Sequence, residues 1–176
     1  MARRRIIATV IDGKSVVVED AAAPTNPFDA VPGFDAAVIW ATPDKPSLPW
    51  DNKNPVRTEN VLPQIGGTTL WVVTFPPDSV MMAESFDPLA AGAEYGRRLP
   101  GLAERFEADN PGMHLTDTID YDIVLDGDIS VEFDDGYTVE MTRGDILVQY
   151  GTRHAWRNPG DKPATMIFVL IGAQQN

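Results

Sequence analysis

The chain has 176 residues with 14 basic and 26 acidic side chains, a formal charge of −12, and no cysteine. Disulfides, thiolate nucleophiles and zinc–thiolate sites are therefore excluded, and an acidic chain lacks the basic face that nucleic acid requires. At 43% hydrophobic residues the composition suits one domain with an ordinary core.

No apolar run reaches the roughly 18 residues of a membrane span. The opening "MARRRIIATVIDGKSV" is basic, but its apolar stretch is short and broken by Asp12. No secretory leader is expected, and a cytoplasmic location is. "RRIIATV" and "KSVVVE" read as strands joined at "DGK". "DAAAPTNPFDAVPG" reads as surface loop, "AAVIWAT" as a short strand, and the five-proline stretch from Pro43 to Gly67 as an ordered wrapping arm. "TTLWVVTFPP" reads as a strand that stops at Pro76.

The helical segment is 87–109. Asp87 caps its start, Pro88 suits the first helical position, Pro100 splits it, and Asn110-Pro111-Gly112 ends it. Six short strands separated by turn signals follow, with "DDG" at 134–136 marking a hairpin. This regular spacing predicts an all-β sandwich or barrel rather than alternating βα units. We divide the chain into 1–67, strands and a Pro-rich arm packing on a barrel, and 68–176, the barrel with helical insert 87–109, all in one domain.

The two histidines stand in "PGMHLTDTIDYDIVLDG" and "GDILVQYGTRHAWRN". Residues two apart share a face of a strand, so His114, Thr116, Thr118, Asp120 and Asp122 have one parity, and His154, Trp156 and Asn158 another. Polar groups stacked on an inward face must bind one another, water or an ion. Imidazole nitrogen with carboxylate oxygen suits first-row divalent metals. Each residue also has a plainer use. His154 serves as a core histidine bonded to Asp120 or Thr116, Asp120 as a cap or partner of Arg153 or Arg157, and Asn158 as a turn residue.

These two stretches resemble the first and second motifs of the cupin superfamily, over residues 112–171. His114 matches the first histidine of motif one, Asp120 its glutamate and Gly127 its glycine; Gly144, Gly151, His154 and Asn158 match motif two. More narrowly, "HLTDTIDY" and "VQYGTRHAWRN" are similar to a subgroup of small single-domain bacterial and fungal cupins. The departures are Thr116 at the second histidine's position, the shorter Asp120, and Gln149-Tyr150 where a proline is usual.

The resemblance implies a double-stranded β-helix (the jelly-roll cupin barrel) and a divalent metal (Fe, Mn, Zn or Ni) on His114, Asp120 and His154. His154, Asp120 and Asp122 would carry proton transfer. Thr116, Trp71, Phe75, Tyr150, Trp156 and Phe168 would line an apolar substrate wall, or else pack as ordinary core. The function expected is that of a metal-dependent enzyme on a small, partly apolar organic substrate, of the dehydratase, isomerase, decarboxylase or cyclase type. An iron dioxygenase and a non-enzymatic small-molecule-binding module are the alternatives. Partners are expected to be a small-molecule substrate and a second copy in a homodimer, with the insert a lid or a dimer contact.

Overall fold

The computed structural model describes residues 3–175. Among these residues, ten strands form three antiparallel sheets, and there is one short α-helix. β1 (Arg4–Ile11) and β2 (Lys14–Ala22) make a separate hairpin, turned by Asp12 and Gly13 at positive φ. β3 (Asp35–Thr42), β4 (Thr68–Phe75), β5 (Thr118–Asp126), β8 (Ile146–Tyr150) and β10 (Ala164–Gly172) form a five-stranded sheet in the order β3-β4-β10-β5-β8. β6 (Ile129–Glu132), β7 (Thr138–Met141) and β9 (Ala155–Arg157) form the opposing three-stranded sheet, ordered β7-β6-β9. Two antiparallel sheets closed over a common core are the expected all-β jelly roll.

One boundary differs from the sequence division. β3 lies before residue 67, yet it pairs with β4 along its whole length and is the edge strand of the barrel sheet. The proline-rich arm between β3 and β4 hides this pairing from a linear reading, because the partners are separated by a long excursion.

Strand parity sorts the side chains. On β10, Ala164, Met166, Phe168 and Leu170 point inward and are buried, with Val124, Ile129, Val131 and Trp71 packed into the same core. Burying each of the larger of these side chains contributes about 1.5–3 kcal/mol. On β8 the alternation is inverted: Ile146, Val148 and Tyr150 are exposed, while Gln149 is buried. Tyr150, expected to line the substrate wall, therefore faces outward and is 74% exposed.

The insert becomes α1 (Pro88–Arg98) and a 3-10 turn at Ala103–Arg105, broken at Pro100 as its sequence predicts. Asp87 accepts from the amides of Leu89 and Ala90. Glu94, only 2% exposed, fastens α1 to the loop before β3: its oxygens accept from the Asp29 amide at 3.1 Å, the Ala30 amide at 2.7 Å and Arg98 Nε at 2.6 Å. Glu94→Ala strands two amides and removes one of the partners of Arg98, which keeps Asn26, and is expected to lower stability by about 3 kcal/mol in urea unfolding. A loss below about 1 kcal/mol would mean that ring packing by Tyr95, not this carboxylate, holds the helix.

Candidate active site

His114 and His154 are brought together by an isolated bridge in which each backbone amide donates to the other's carbonyl, at 3.0 and 2.9 Å. Their ring centroids are 4.4 Å apart. His114 Nδ1 lies 3.0 Å from the Gly112 carbonyl oxygen, and His154 Nδ1 lies 2.9 Å from that of Thr152. A carbonyl only accepts, so each Nδ1 carries the proton and, in a neutral ring, each Nε2 carries the lone pair. Burial holds both rings neutral: it lowers the His114 pKa, and with the nearby His114 it brings His154 down to about 4.

β5 carries the rest of the column. Thr116 and Thr118 join hydroxyls at 2.7 Å, and Asp120 and Asp122 follow on the same inward face. Asp120 stands opposite Leu170 and Gln149; Asp122 stands opposite Phe168 and Leu147. Asp122 is wholly buried, and one oxygen of each carboxyl, Oδ1, has no hydrogen-bond partner. Burial pushes Asp120 up to about 6, against a lowering contact with Thr118. Burial, then the charge of Asp120, pushes Asp122 up to about 8, against the hydrogen bond from Gln149.

Gln149 is the residue the sequence reading passed over. Its amide nitrogen donates to Asp122 Oδ2 at 2.7 Å and lies 3.3 Å from His154 Nε2, while its carbonyl accepts from the Thr152 hydroxyl at 2.6 Å. The available signal was parity: Gln149 alternates with Ile146, Val148 and Tyr150, so one of the two sets had to face inward.

The other expectations sort as follows. His154 bonds neither Asp120 nor Thr116; its ring partners are Gln149 and the Thr152 carbonyl. Arg153 is held by Glu107 and Asp134, and Arg157 by Glu132, so neither pairs with Asp120. Asn158 is a turn residue: its amide nitrogen donates to the Phe75 and Lys162 carbonyls and its side-chain oxygen accepts from Gly160. Phe75, Trp156 and Phe168 pack mutually at 5.5–6.4 Å, with Trp156 6.1 Å from His154. Trp71 is buried and donates to Thr69. The insert reaches the site through Tyr95, which packs on Phe106 at 5.6 Å, and Phe106 packs on His114 at 4.9 Å. A groove of about 660 Å³ touches the column at Thr118 and is lined also by Arg57, Arg105 and Asp117.

The fold is an antiparallel jelly roll in which two imidazoles meet beside a strand that carries two buried carboxyls. Residues 108–170 match the family Cupin_2, the cupin domain. It is 44% identical over 63 residues to phomopsin biosynthesis cluster protein C′ of Diaporthe leptostromiformis, covering 35% of this chain and 33% of that one. It is 45% identical over 79 residues to oryzines biosynthesis cluster protein J of Aspergillus oryzae, covering 42% and 44%. It is 36% identical over 62 residues to the cupin-domain-containing oxidoreductase virC of Hypocrea virens, covering 34% and 32%. Each match spans less than half of the relative's own length. Among solved structures, the Cupin 2 conserved barrel domain protein of Salinispora arenicola aligns with a TM-score of 0.41 at 16% identity, over 86% of this chain and 91% of that one.

A metal is the group that this resemblance implies. The two Nε2 lone pairs suit one, but the third expected ligand does not join them. Among the described residues no three His, Asp or Glu side chains are grouped closely enough to share an ion. Thr116 bonds Thr118, and His154 Nε2 faces an amide N–H. The donor set does not fit the expected three-ligand site. No helix among the described residues is long and apolar enough to cross a membrane.

Proposed function

We propose that the protein is an enzyme that moves a proton on a small, partly apolar organic substrate, in a reaction of the dehydratase, isomerase, decarboxylase or cyclase type. His114 Nε2 accepts the proton, and the carboxyl of Asp120 returns one. The observation that carries this reading is a neutral imidazole with its lone pair unclaimed among the described residues, next to a second histidine and in the segment that leads into the strand carrying two buried carboxyls. A base that is unprotonated at neutral pH and an acid whose pKa is raised toward it are the two groups that proton transfer needs. Burial keeps Asp120 from ionising at the ordinary carboxylate pH, and the charge of Asp120, after burial, helps to hold the proton on Asp122. Phe75, Trp156 and Phe168 supply the apolar wall.

The test is deuterium exchange. The purified protein is incubated in D2O with a panel of small carbonyl compounds bearing an acidic C–H, and label uptake is followed by NMR. Exchange above the buffer rate is expected for a compound with apolar bulk, and His114→Gln is expected to slow it about 100-fold. Saturable binding of the same compounds without exchange would replace this reading by a binding module.

A second reading, an oxidoreductase, is favoured by the name of the Hypocrea virens relative. Oxygen uptake that depends on added Fe(II), with the same compounds, would select it.

A further inference from the structure

We infer that Gln149 closes off the imine nitrogen of His154, leaving His114 as the imidazole of the pair that is free to react. Gln149 is 2% exposed, and each polar end of its carboxamide is committed. One N–H goes to Asp122 Oδ2 at 2.7 Å, the other faces His154 Nε2 at 3.3 Å, and the oxygen accepts from Thr152 Oγ1 at 2.6 Å. The reverse orientation would set the amide oxygen against the imine lone pair of His154, which offers it no proton. The hydrogen bonds therefore select this orientation.

Thr152 works from both ends. Its carbonyl fixes the proton on His154 Nδ1, and its hydroxyl aims the amide that covers Nε2. His154 is thus tied at both nitrogens and 3% exposed, whereas His114 is tied only at Nδ1 among the described residues and is more open. Gln149 is a positioning residue in this scheme. It acts on His154 and, through the 4.4 Å ring contact, on the placement of His114. The assignment rests on the imidazole pair being the reacting centre, but its test needs no turnover.

The chain has only two histidines, so a two-bond 1H–15N correlation spectrum of the 15N-labelled protein at neutral pH shows two imidazole patterns, told apart by His114→Gln. Both are expected to be protonated at Nδ1, with the His154 Nε2 resonance upfield of that of His114 because it accepts a hydrogen bond. In Gln149→Met the His154 Nε2 resonance is expected to move downfield to where His114 resonates. Should that variant not fold, Thr152→Val, which frees the amide, is expected to move it the same way. Coincident Nε2 resonances in the wild type, or a His154 resonance that stays in place in the folded variant, would overturn the inference. A His114→Gln protein that keeps full exchange activity while the spectra behave as described would instead remove the functional reading and leave this one standing.

Discussion

Asp122→Asn is expected to make the protein more stable at pH 7–8 and less stable near pH 4. The buried carboxyl keeps its proton to about 8, whereas the unfolded chain releases it near the ordinary value of 3.8. Between those values the native state binds a proton that the unfolded state does not, so stability falls as pH rises. The contribution is intact below pH 3.8 and is lost progressively up to about 8. At pH 7 the cost is on the order of 4 kcal/mol. Asn fills the same space without the charge, and its oxygen can accept from Gln149 as Oδ2 does. Its NH2 inherits the place of Oδ1, which has no partner. That orphan costs about 1–3 kcal/mol at every pH.

The two curves should therefore cross in mildly acidic solution, with Asn ahead by about 2 kcal/mol at neutrality. Urea unfolding of both proteins at pH 4, 6 and 8 checks it. Parallel pH profiles would show that Asp122 is ionised in the native state. The wild-type core thus holds a carboxyl with one oxygen bonded to Gln149 and the other without a partner.

Gly172→Ala is expected to destabilise by about 4 kcal/mol or more, and to strip the site of Thr118 before any chemical group is touched. A Cβ at Gly172 would collide with the Gln64 carbonyl oxygen and carbon. Both are backbone atoms of the arm that returns into β4, so no rotamer change relieves the contact. Gly172 is also paired with Thr118 at the end of β10, and its amide donates to Gly67. Relief must come from parting the arm or fraying β10 from β5, and β5 carries the column. Loss of soluble folded protein, or a large fall in urea midpoint, is the expected result. A change within about 1 kcal/mol would mean that the arm yields freely there.

Much of the fold was legible because its signals are local. Each strand announced itself by alternation and each turn by Gly, Pro or Asp. The helix carried a cap at Asp87, a proline at its start and a break at Pro100, and all three stand where they were read. The turn at 134–136 places Asp135 and Gly136 at positive φ, as a hairpin there requires. What stayed hidden were the pairings. β3 belongs to the barrel although a proline-rich arm parts it from β4, and sequence distance says nothing about which edge a strand joins.

The candidate site divides the same way. Parity alone put His114, Thr116, Thr118, Asp120 and Asp122 on one face, and the structure keeps the four from Thr116 onward turned inward. Motif resemblance put His154 near them, and the two imidazoles do meet. But parity fixes only that neighbours two apart agree, not which set faces in. The inward choice on β8 was made by closure of the barrel, which turned Tyr150 out and Gln149 in. Nor does a strand pattern specify hydrogen bonds between strands. That His154 answers to Gln149 rather than to Asp120, and that Arg153 and Arg157 answer to other acids, follows from distances of a few ångströms between segments far apart in the chain. Residue types and periods were thus determined by the sequence; which partner completes each polar group was decided by packing, because hydrogen bonds depend on three-dimensional contact.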